Sequence, residues 1–440
     1  MKLSNILMIS MLILSIASPL LIQAPVEAAF SGLGSGTVAD PYQITTESQF
    51  WEIDDDVTAN YTIQNNITFT SIEHAPITSS ENIFTGSLNG QNYTLTDINI
   101  TGNGNCGLIG VAGGATIKNI NIYNMSIITS EAMSLCSGLI LGTDITNPVS
   151  ISNCHVRNSI SRGFETYVGG IAGQLLTVSN INNCSVENCI LCGSSCGSNI
   201  GGIAGISRGE IEQCFVDEDC IIEGQYSVGG ICGKTLDLSD ATILDCYSRA
   251  QVQAYDETDI RAGGICGDDD STATGYINNT YTSSDVMDGT GEDPGIGQNA
   301  GSFIGMTAGN TAGKNCFFET GKIIDRDDFA TGKATANMKL IATFTDTATE
   351  GLTTAWDFVG TENDDSANQD IWDINASIND GYPYLVHNAP YEEYASNVCV
   401  VYTTNTPNIG DIGSNVFNIL GIVFIIGAIV LLIGVVKHMV

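Results

Sequence analysis

Basic residues are scarce in this chain of 440 residues, which has 14 Lys and Arg against 49 Asp and Glu and a net charge of −35. A polyanion would be repelled by such a surface, so we expect no nucleic-acid partner. Charged residues make up only 14% of the chain, and it holds 49 Gly, which does not fit a disordered acidic tail. The excess of Gly, Asn, Thr, Ser and Ile favours β-structure with many tight turns.

Histidine is also rare, with only His74, His155, His387 and His438. His155 follows Cys154, but adjacent residues of a strand face opposite sides, so they would not form a nucleophile and base pair. The H-E-x-x-H motif of zinc peptidases is missing, and the arginines are scattered without a repeated acid pair beside them. We therefore predict no catalytic residue, no metal ligand and no cofactor. Loosely bound calcium at acidic runs such as residues 268–270 is the remaining option.

Both ends of the chain have the character of membrane-directed segments. Lys2 precedes an apolar run that ends in small residues at Ala28 and Ala29, which predicts a secretory signal over residues 1–29. Residues 416–436 form an uncharged apolar stretch whose 21 residues would reach about 31 Å as a helix, against a hydrocarbon core of about 30 Å. Lys437 follows at once, so residues 437–440 should be cytoplasmic and the rest of the mature chain extracellular.

A Gly-rich pentapeptide recurs seven times at steps of 28 to 38 residues, for example GGIAG at 169–173 and GGICG at 229–233. We expect its glycines at the corners of a repeat, because Gly adopts φ > 0 and permits close approach of backbones. The isoleucines of the clusters, such as Ile171 and Ile203, should point inward and stack. The predicted structural glycines are Gly107, Gly110, Gly138, Gly170, Gly173, Gly202, Gly205, Gly230, Gly233, Gly264, Gly267, Gly301 and Gly305.

A second signature, centred on a cysteine, follows most of the Gly clusters. Thr280 takes the place of Cys in one copy, and the segments between the signatures alternate apolar and polar residues, as strands do. Two features repeated in fixed order specify a solenoid. We therefore predict an all-β fold, a parallel β-helix (β-solenoid) of about seven coils, plus one C-terminal transmembrane helix. The repeat cysteines are Cys154, Cys184, Cys214, Cys246 and Cys316.

These motifs resemble those of the GLUG-repeat proteins, whose Gly-Leu-x-Gly core precedes an Asn-Cys-Tyr-like segment. The resemblance extends from residue 39 to residue 386, including FTGSLNGQNYTLTDINI at 84–100 and IWDINASINDGYPYL at 371–385. It implies a β-solenoid at a cell surface, as in adhesin-like proteins. It implies no reaction, since such repeats also accompany bacterial immunoglobulin A peptidases whose metal motif is missing here.

The 14 cysteines leave three interpretations open. The repeat cysteines fit a ladder of small buried side chains, one per coil. The Asn residues before them could form an amide ladder at the turn, or they could lie in solvated loops. Those residues are Asn153, Asn183, Asn279 and Asn315. Another group has extra cysteines at spacings that could serve a disulfide in an oxidising exterior, plain thiols or a metal. These possible disulfide partners are Cys189, Cys192, Cys196 and Cys220.

An extracellular location would make the Asn-x-Ser/Thr sequons possible sites of N-glycosylation. They begin at Asn60, Asn66, Asn92, Asn99, Asn124, Asn183, Asn278 and Asn375.

The chain is thus expected to divide into seven parts. The predicted parts are a signal peptide (1–29), an N-terminal cap (30–86), the GLUG-repeat solenoid (87–316), a C-terminal cap (317–386), a juxtamembrane stalk (387–415), a transmembrane helix (416–436) and a cytoplasmic tail (437–440). We predict a single-pass cell-surface protein of adhesin-like or structural function that binds glycans or other envelope components. The alternatives are a carbohydrate-active β-helix enzyme, or a subunit of an envelope or virion surface layer. The bare terminal helix favours an archaeal type of host.

Overall fold

The part of the chain that can be described begins at residue 30. The structure, a computed structural model, describes residues 30–70, 73–102, 104–128, 136–163, 167–193, 199–236, 241–255, 260–270, 276–288, 299–307, 315–324, 329–360, 370–388 and 390. The predicted signal peptide, transmembrane helix and cytoplasmic tail lie outside these residues, as does most of the predicted stalk. Within the described ranges, no helix has the length and apolar character to cross a bilayer.

The repeats form a parallel β-solenoid, as predicted, in which each coil described in full crosses four sheets in the same order. One coil runs from Tyr167–Gly169 in sheet 1 to Ala172–Leu175 in sheet 2, and its strands Asn180–Asn182 and Ser185–Glu187 both lie in sheet 3. Ile190–Gly193 in sheet 4 completes the coil. Sheets 2 and 4 each contain seven described strands, so the chain makes about six full turns between the first and the last.

The bounds of the described elements follow this order. Sheet 1 contains Cys136–Gly138, Tyr167–Gly169, Asn199–Gly201, Ser227–Gly229, Arg261–Gly263 and Asn299–Gly301. Sheet 2 contains Ile109–Ala112, Leu141–Asp144, Ala172–Leu175, Ala204–Ser207, Cys232–Thr235, Cys266–Asp269 and Ile304–Thr307. Sheet 3 contains Tyr42–Ile44, Asn60–Ile63, Ile67–Thr68, Ser87–Asn89, Thr94–Thr96, Thr116–Tyr123, Ser150–Arg157, Asn180–Asn182, Ser185–Glu187, Glu210–Glu212, Phe215–Val216, Thr242–Leu244, Tyr247–Ser248, Tyr276–Asn278, Tyr281–Thr282, Phe317–Glu319 and Thr331–Lys333. Sheet 4 contains Asn99–Thr101, Ser126–Ile128, Ile160–Gly163, Ile190–Gly193, Ile221–Gly224, Gln251–Ala254 and Asp285–Asp288.

The remaining elements are short. Trp372–Ile374 and Pro383–Leu385 pair as antiparallel strands. The described helices are α1 (Glu47–Trp51), α2 (Thr335–Met338) and α3 (Ala342–Thr345), with 3-10 turns at Glu52–Asp55 and Asn379–Gly381.

The core of the solenoid consists of apolar columns that run from coil to coil. On sheet 3, for example, Ile151, Ile181, Ile211, Ile243 and Ile277 stand in register on successive strands and are all buried. Because apolar and polar residues alternate, the apolar side chains of each strand all point to the inside of the solenoid. Parallel pairing then places the equivalent residues of successive coils on top of each other. Burial of these columns therefore stabilises each coil through its neighbours.

The repeat glycines serve close packing rather than a left-handed backbone, which corrects part of the sequence interpretation. None of the predicted structural glycines has a positive φ. A Cβ on Gly170 would lie 2.3 Å from the carbonyl oxygen of Gly202 in the next coil, and one on Gly169 would lie 2.0 Å from that of Ala172. These clashes exclude larger residues. The inward isoleucines Ile171 and Ile203 are fully buried, as predicted.

The N-terminal cap extends the solenoid as well as covering it. Thr46 caps α1 by accepting a hydrogen bond from the Gln49 amide at 3.3 Å, and Phe50 from this helix is fully buried. The strand Tyr42–Ile44 pairs in parallel with Asn60–Ile63, which pairs with Ser87–Asn89. The cap thus supplies the first strands of sheet 3.

The C-terminal part of the chain folds back along the solenoid instead of only covering its last coil. Thr331–Lys333 ends sheet 3 by pairing with Phe317–Glu319. The described residues that follow, 335–360 and 370–388, here the return segment, then lie on the outer face of sheet 3. The Trp372 indole donates to Asp245 at 3.2 Å, and the Asn388 amide reaches the Cys184 carbonyl at 3.0 Å. The predicted cap is therefore a lateral cover over several coils.

Candidate functional site

The cysteines predicted as a ladder are buried, and hydrogen bonds explain their identity. The Cys214 thiol donates to the Glu212 carbonyl at 3.1 Å and accepts from the Cys184 amide of the previous coil at 3.4 Å. Thr280 makes the same two contacts through its hydroxyl, to the Asn278 carbonyl at 2.8 Å and from the Cys246 amide at 3.3 Å. A small side chain that both donates and accepts is required at this position, and Cys and Thr both meet this need.

The extra cysteines form a second ladder one bend further along each coil. Cys189 accepts from the Ser159 amide at 3.4 Å, and Cys220 accepts from the Cys189 amide at 3.3 Å. Both are buried thiols, so the structure does not contain the disulfide considered for them. Cys192 is half-buried and lies on the opposite side of the chain from the buried Cys189. These two thiols therefore do not face a common site, although their spacing is typical of metal ligands. Cys196 lies outside the described residues.

Asparagines at the bend of sheet 3 form the predicted amide ladder. Asn153 and Asn183 have positive φ of 53° and 54°, and the Asn183 amide donates to the Asn153 side-chain oxygen at 2.7 Å. The Asn315 amide donates to Asn279 in the same way at 3.2 Å. Asn tolerates the left-handed region better than most residues, so the bend relies on it rather than on the repeat glycines. Asp245 occupies the same kind of position with φ of 49°.

His155 and its neighbours form a polar chain with no free nucleophile. The His155 Nδ1 atom lies 2.9 Å from the Ser185 hydroxyl, which donates to Glu187 at 2.9 Å, while Arg157 donates to the same carboxylate oxygen at 3.0 Å. Because the Ser185 proton points to Glu187, Nδ1 of His155 is the donor. Burial lowers the pKa of His155 to about 4, and the positive charge of Arg157 is the second cause of this shift. Ser185 is fully buried, and Cys154 faces the core.

The acidic run at residues 268–270, the candidate for loosely bound calcium, begins inside a strand instead of a loop. Asp268 and Asp269 lie on a strand of sheet 2 and are 3% exposed. Asp268 pairs with Lys234 at 2.9 Å and with Arg261 at 2.6 Å. Over the described ranges, no group of three or more His, Cys, Asp or Glu residues could hold a metal ion.

Two carboxylates project from one strand of sheet 3. Glu210 and Glu212 occupy alternate positions of the strand Glu210–Glu212, so both face outward. The Asn180 and Asn182 amides of the previous coil donate to them at 3.1 Å and 2.8 Å. Burial raises the pKa of Glu212, and the negative charge of the neighbouring Glu210 adds to this shift. The repeat analysis missed this pair, although the alternation in EIE predicts it.

The acid pair continues into a polar seam, which we define as Glu212, Asp245, Asn279, Asn315 and the adjoining return-segment residues 353–357. Burial raises the pKa of Asp245 to about 6, while the Trp372 indole opposes this shift and the charges of Glu212 and Asp357 add to it. Asn315 accepts from the Thr353 amide at 2.7 Å. The seam therefore places carboxyl, amide and hydroxyl groups side by side along the return segment.

The sequons differ in accessibility. Asn66, Asn92, Asn99, Asn124 and Asn375 are exposed, whereas Asn60, Asn183 and Asn278 are half-buried. Two of the half-buried sequons also have a buried third residue, because the side chains of Ser185 and Thr280 are fully buried. The folded chain thus leaves the first five sequons available to a modifying enzyme.

Comparison with known proteins supports the fold alone. No family model and no curated protein match the chain. A solved structure of an immunoglobulin A1 protease-like protein from Bacteroides ovatus aligns with a TM-score of 0.50 and 16% identity over 80% of this chain and 94% of its own. A second structure, of an IgA1 protease, aligns with a TM-score of 0.37 and 12% identity over 66% of this chain and 21% of its own.

Proposed function

We propose that this chain is a GLUG-type, membrane-anchored surface protein that binds glycans or other envelope components through its solenoid. The observation that carries the proposal is the polar seam. It lies on the stacked coils of the solenoid, and the return segment forms one of its borders. Amide, hydroxyl and carboxyl groups fixed beside one another suit the many hydroxyl groups of a saccharide.

The surroundings of the seam support this proposal. The Arg249 guanidinium fixes the return segment by donating to Asn379 at 2.8 Å and to Asp380 at 2.9 Å. The Tyr281 hydroxyl donates to the Pro383 carbonyl at 2.7 Å. These contacts hold the return segment in place beside the seam. The seam would therefore lose little conformational entropy when it binds a ligand. The predicted signal and apolar terminal stretch would present the seam outside the cell.

Binding of the full-length protein to purified cell-envelope polysaccharides tests the proposal. With the protein in lipid nanodiscs, we expect saturable retention of at least one polysaccharide, reduced when Glu212 is replaced by Gln together with Asn279→Gly, which removes the amide but tolerates the left-handed backbone. Asn92→Gly, which removes an exposed amide from the same left-handed backbone conformation on another part of the solenoid, is the matched control. Retention of none of the polysaccharides would refute a glycan-binding function.

The acid pair favours a second candidate function, cleavage of a polysaccharide. A carboxyl group of raised pKa beside a carboxylate is the arrangement that general acid and base catalysis at a glycosidic bond requires. Glu212 would be the acid and Glu210 its partner. In this case incubation should shorten the bound polysaccharide, and Glu212→Gln should abolish the shortening while leaving retention intact. An unchanged chain length with every polysaccharide that binds would exclude this function.

A further inference from the structure

A cavity lies where the last described coils meet the return segment. Its volume is about 550 Å³, within the range of roughly 300–1,000 Å³ that is usual for small-molecule sites. The lining residues are Asn278, Asn279, Asn315, Thr353 and Thr354. The lining thus offers amides and hydroxyls without a charged side chain. Such a surface suits a neutral ligand that both donates and accepts hydrogen bonds.

The return segment fixes one side of this cavity. The side-chain oxygen of Asn315 accepts from the Thr353 amide at 2.7 Å, from the Thr353 hydroxyl at 2.9 Å and from the Thr354 amide at 3.2 Å. Its amide nitrogen donates to Asn279 at 3.2 Å. With these contacts Asn315 cannot rotate freely, so the cavity has its shape before a ligand arrives.

Asn278 supplies the group that points to a ligand. Its side-chain oxygen is buried and has no hydrogen-bond partner among the described residues. A buried acceptor without a partner costs about 1–3 kcal/mol. Once the Asn278 side chain turns this oxygen toward the cavity, a ligand hydroxyl that donates to it would recover that cost. The neighbouring Thr280 hydroxyl cannot do so, because it donates to the Asn278 backbone carbonyl at 2.8 Å.

We infer that this cavity is a subsite for one neutral sugar residue, with Asn278 as its main acceptor and Thr354 as a second polar contact. The inference rests on the proposed glycan-binding function and narrows it to a place and a ligand class. An anionic ligand is disfavoured because Asp245 and Glu212 lie nearby in the seam, and the lining itself holds no side chain that would form an ion pair.

Titration with methyl glycosides of glucose, galactose, mannose and N-acetylglucosamine tests this subsite. The full-length protein is made in a host without N-glycosylation, and binding is followed by saturation-transfer difference NMR and calorimetry. We expect at least one glycoside to bind. Asn278→Leu should weaken it about tenfold, the equivalent of one hydrogen bond, and Thr354→Val should weaken it less. The matched control Asn99→Leu, at an exposed strand position without a positive φ, should leave the affinity unchanged.

Stability measurements separate loss of the subsite from loss of the fold. Because Asn278→Leu removes a buried acceptor without a partner, its free energy of unfolding should equal or exceed that of the wild type. No binding of any glycoside, or equal binding by wild type and Asn278→Leu, would overturn the inference. If Asn278→Leu still retains polysaccharide as the wild type does, the subsite is wrong and the proposed function stands. If the wild type retains no polysaccharide, the proposed glycan-binding function is itself wrong.

Discussion

One outward column of sheet 3 is polar in its early coils and aromatic in its later ones. Read in register, it consists of Asn121, His155, Ser185, Phe215, Tyr247, Tyr281 and Phe317. The inner column beneath is nearly constant, since it is a Cys or Thr ladder from Cys154 onward. The coils with aromatic outer residues, here the covered half, are those on which the return segment packs, whereas the coils with polar outer residues form the open half.

The aromatic half gains its stability from stacking across coils. Phe215 and Tyr247 have ring centroids 4.9 Å apart and nearly parallel rings, and Tyr247 and Tyr281 are 5.1 Å apart. These distances follow the strand spacing of about 4.8 Å, so parallel pairing itself stacks the rings. Trp356 and Trp372 of the return segment pack against this column and are fully buried.

Removal of one ring should have the largest effect and should separate the two halves. Tyr281→Ala is expected to lower the free energy of unfolding by about 3–5 kcal/mol, because it opens a cavity in the aromatic column. Denaturant titration measures this loss. Tyr281→Phe should cost less, since it keeps the ring, and His155→Ala in the open half should cost under about 2 kcal/mol. Equal losses for Tyr281→Ala and His155→Ala would contradict the distinction.

Replacement of ladder thiols should affect both halves alike. Cys154→Val in the open half and Cys246→Val in the covered half keep a similar volume but remove hydrogen bonds to carbonyls at 3.4 Å and 3.0 Å. Each should cost about 1–3 kcal/mol, because buried polar groups lose their partner. Chemical denaturation of the two variants makes the comparison. A cost confined to the covered half would show that the inner ladder also distinguishes the halves.

The two halves should respond to pH in opposite directions. The pKa of His155 is lowered to about 4, so the stability from neutral His155 is complete above its ordinary value of 6.5 and is lost as the pH falls. The pKa of Asp245 is raised to about 6 from 3.8, so its contribution is complete below pH 3.8 and is lost as the pH rises through 6. NMR titration of the two side chains should give these midpoints. Ordinary midpoints for both groups would refute the burial argument.

Completion of the Cys ladder should have the smallest effect. Thr280→Cys keeps a donor and acceptor in the same place, so the unfolding free energy should change by less than about 1 kcal/mol. Thr280→Val serves as the control and should cost more, because the Cys246 amide loses the acceptor that now lies 3.3 Å away. If Thr280→Val were as stable as Thr280→Cys, the hydrogen-bond account of the ladder would be wrong.

The sequence predicts the periodic parts of this molecule and not the parts that depend on distant contacts. The coil repeat and the first ladder can be predicted because Cys154, Cys184 and Cys214 recur at steps of 30 residues, each with a Val two residues later. The second ladder is hidden because Ser159 takes the place of cysteine one coil before Cys189. The return segment is aperiodic, and nothing local in Trp372 shows that it packs on Tyr247, 125 residues earlier in the chain, at 6.2 Å.

Amide hydrogen exchange of the full-length wild-type protein tests the central claim most directly. If the aromatic column holds the return segment, the amides of Trp372 and Val386 should exchange as slowly as those of Tyr247 and Tyr281, since all of them donate backbone hydrogen bonds. Fast exchange of residues 371–388 while sheet 3 stays protected would contradict the account, because it would show that the return segment leaves the face it is said to cover.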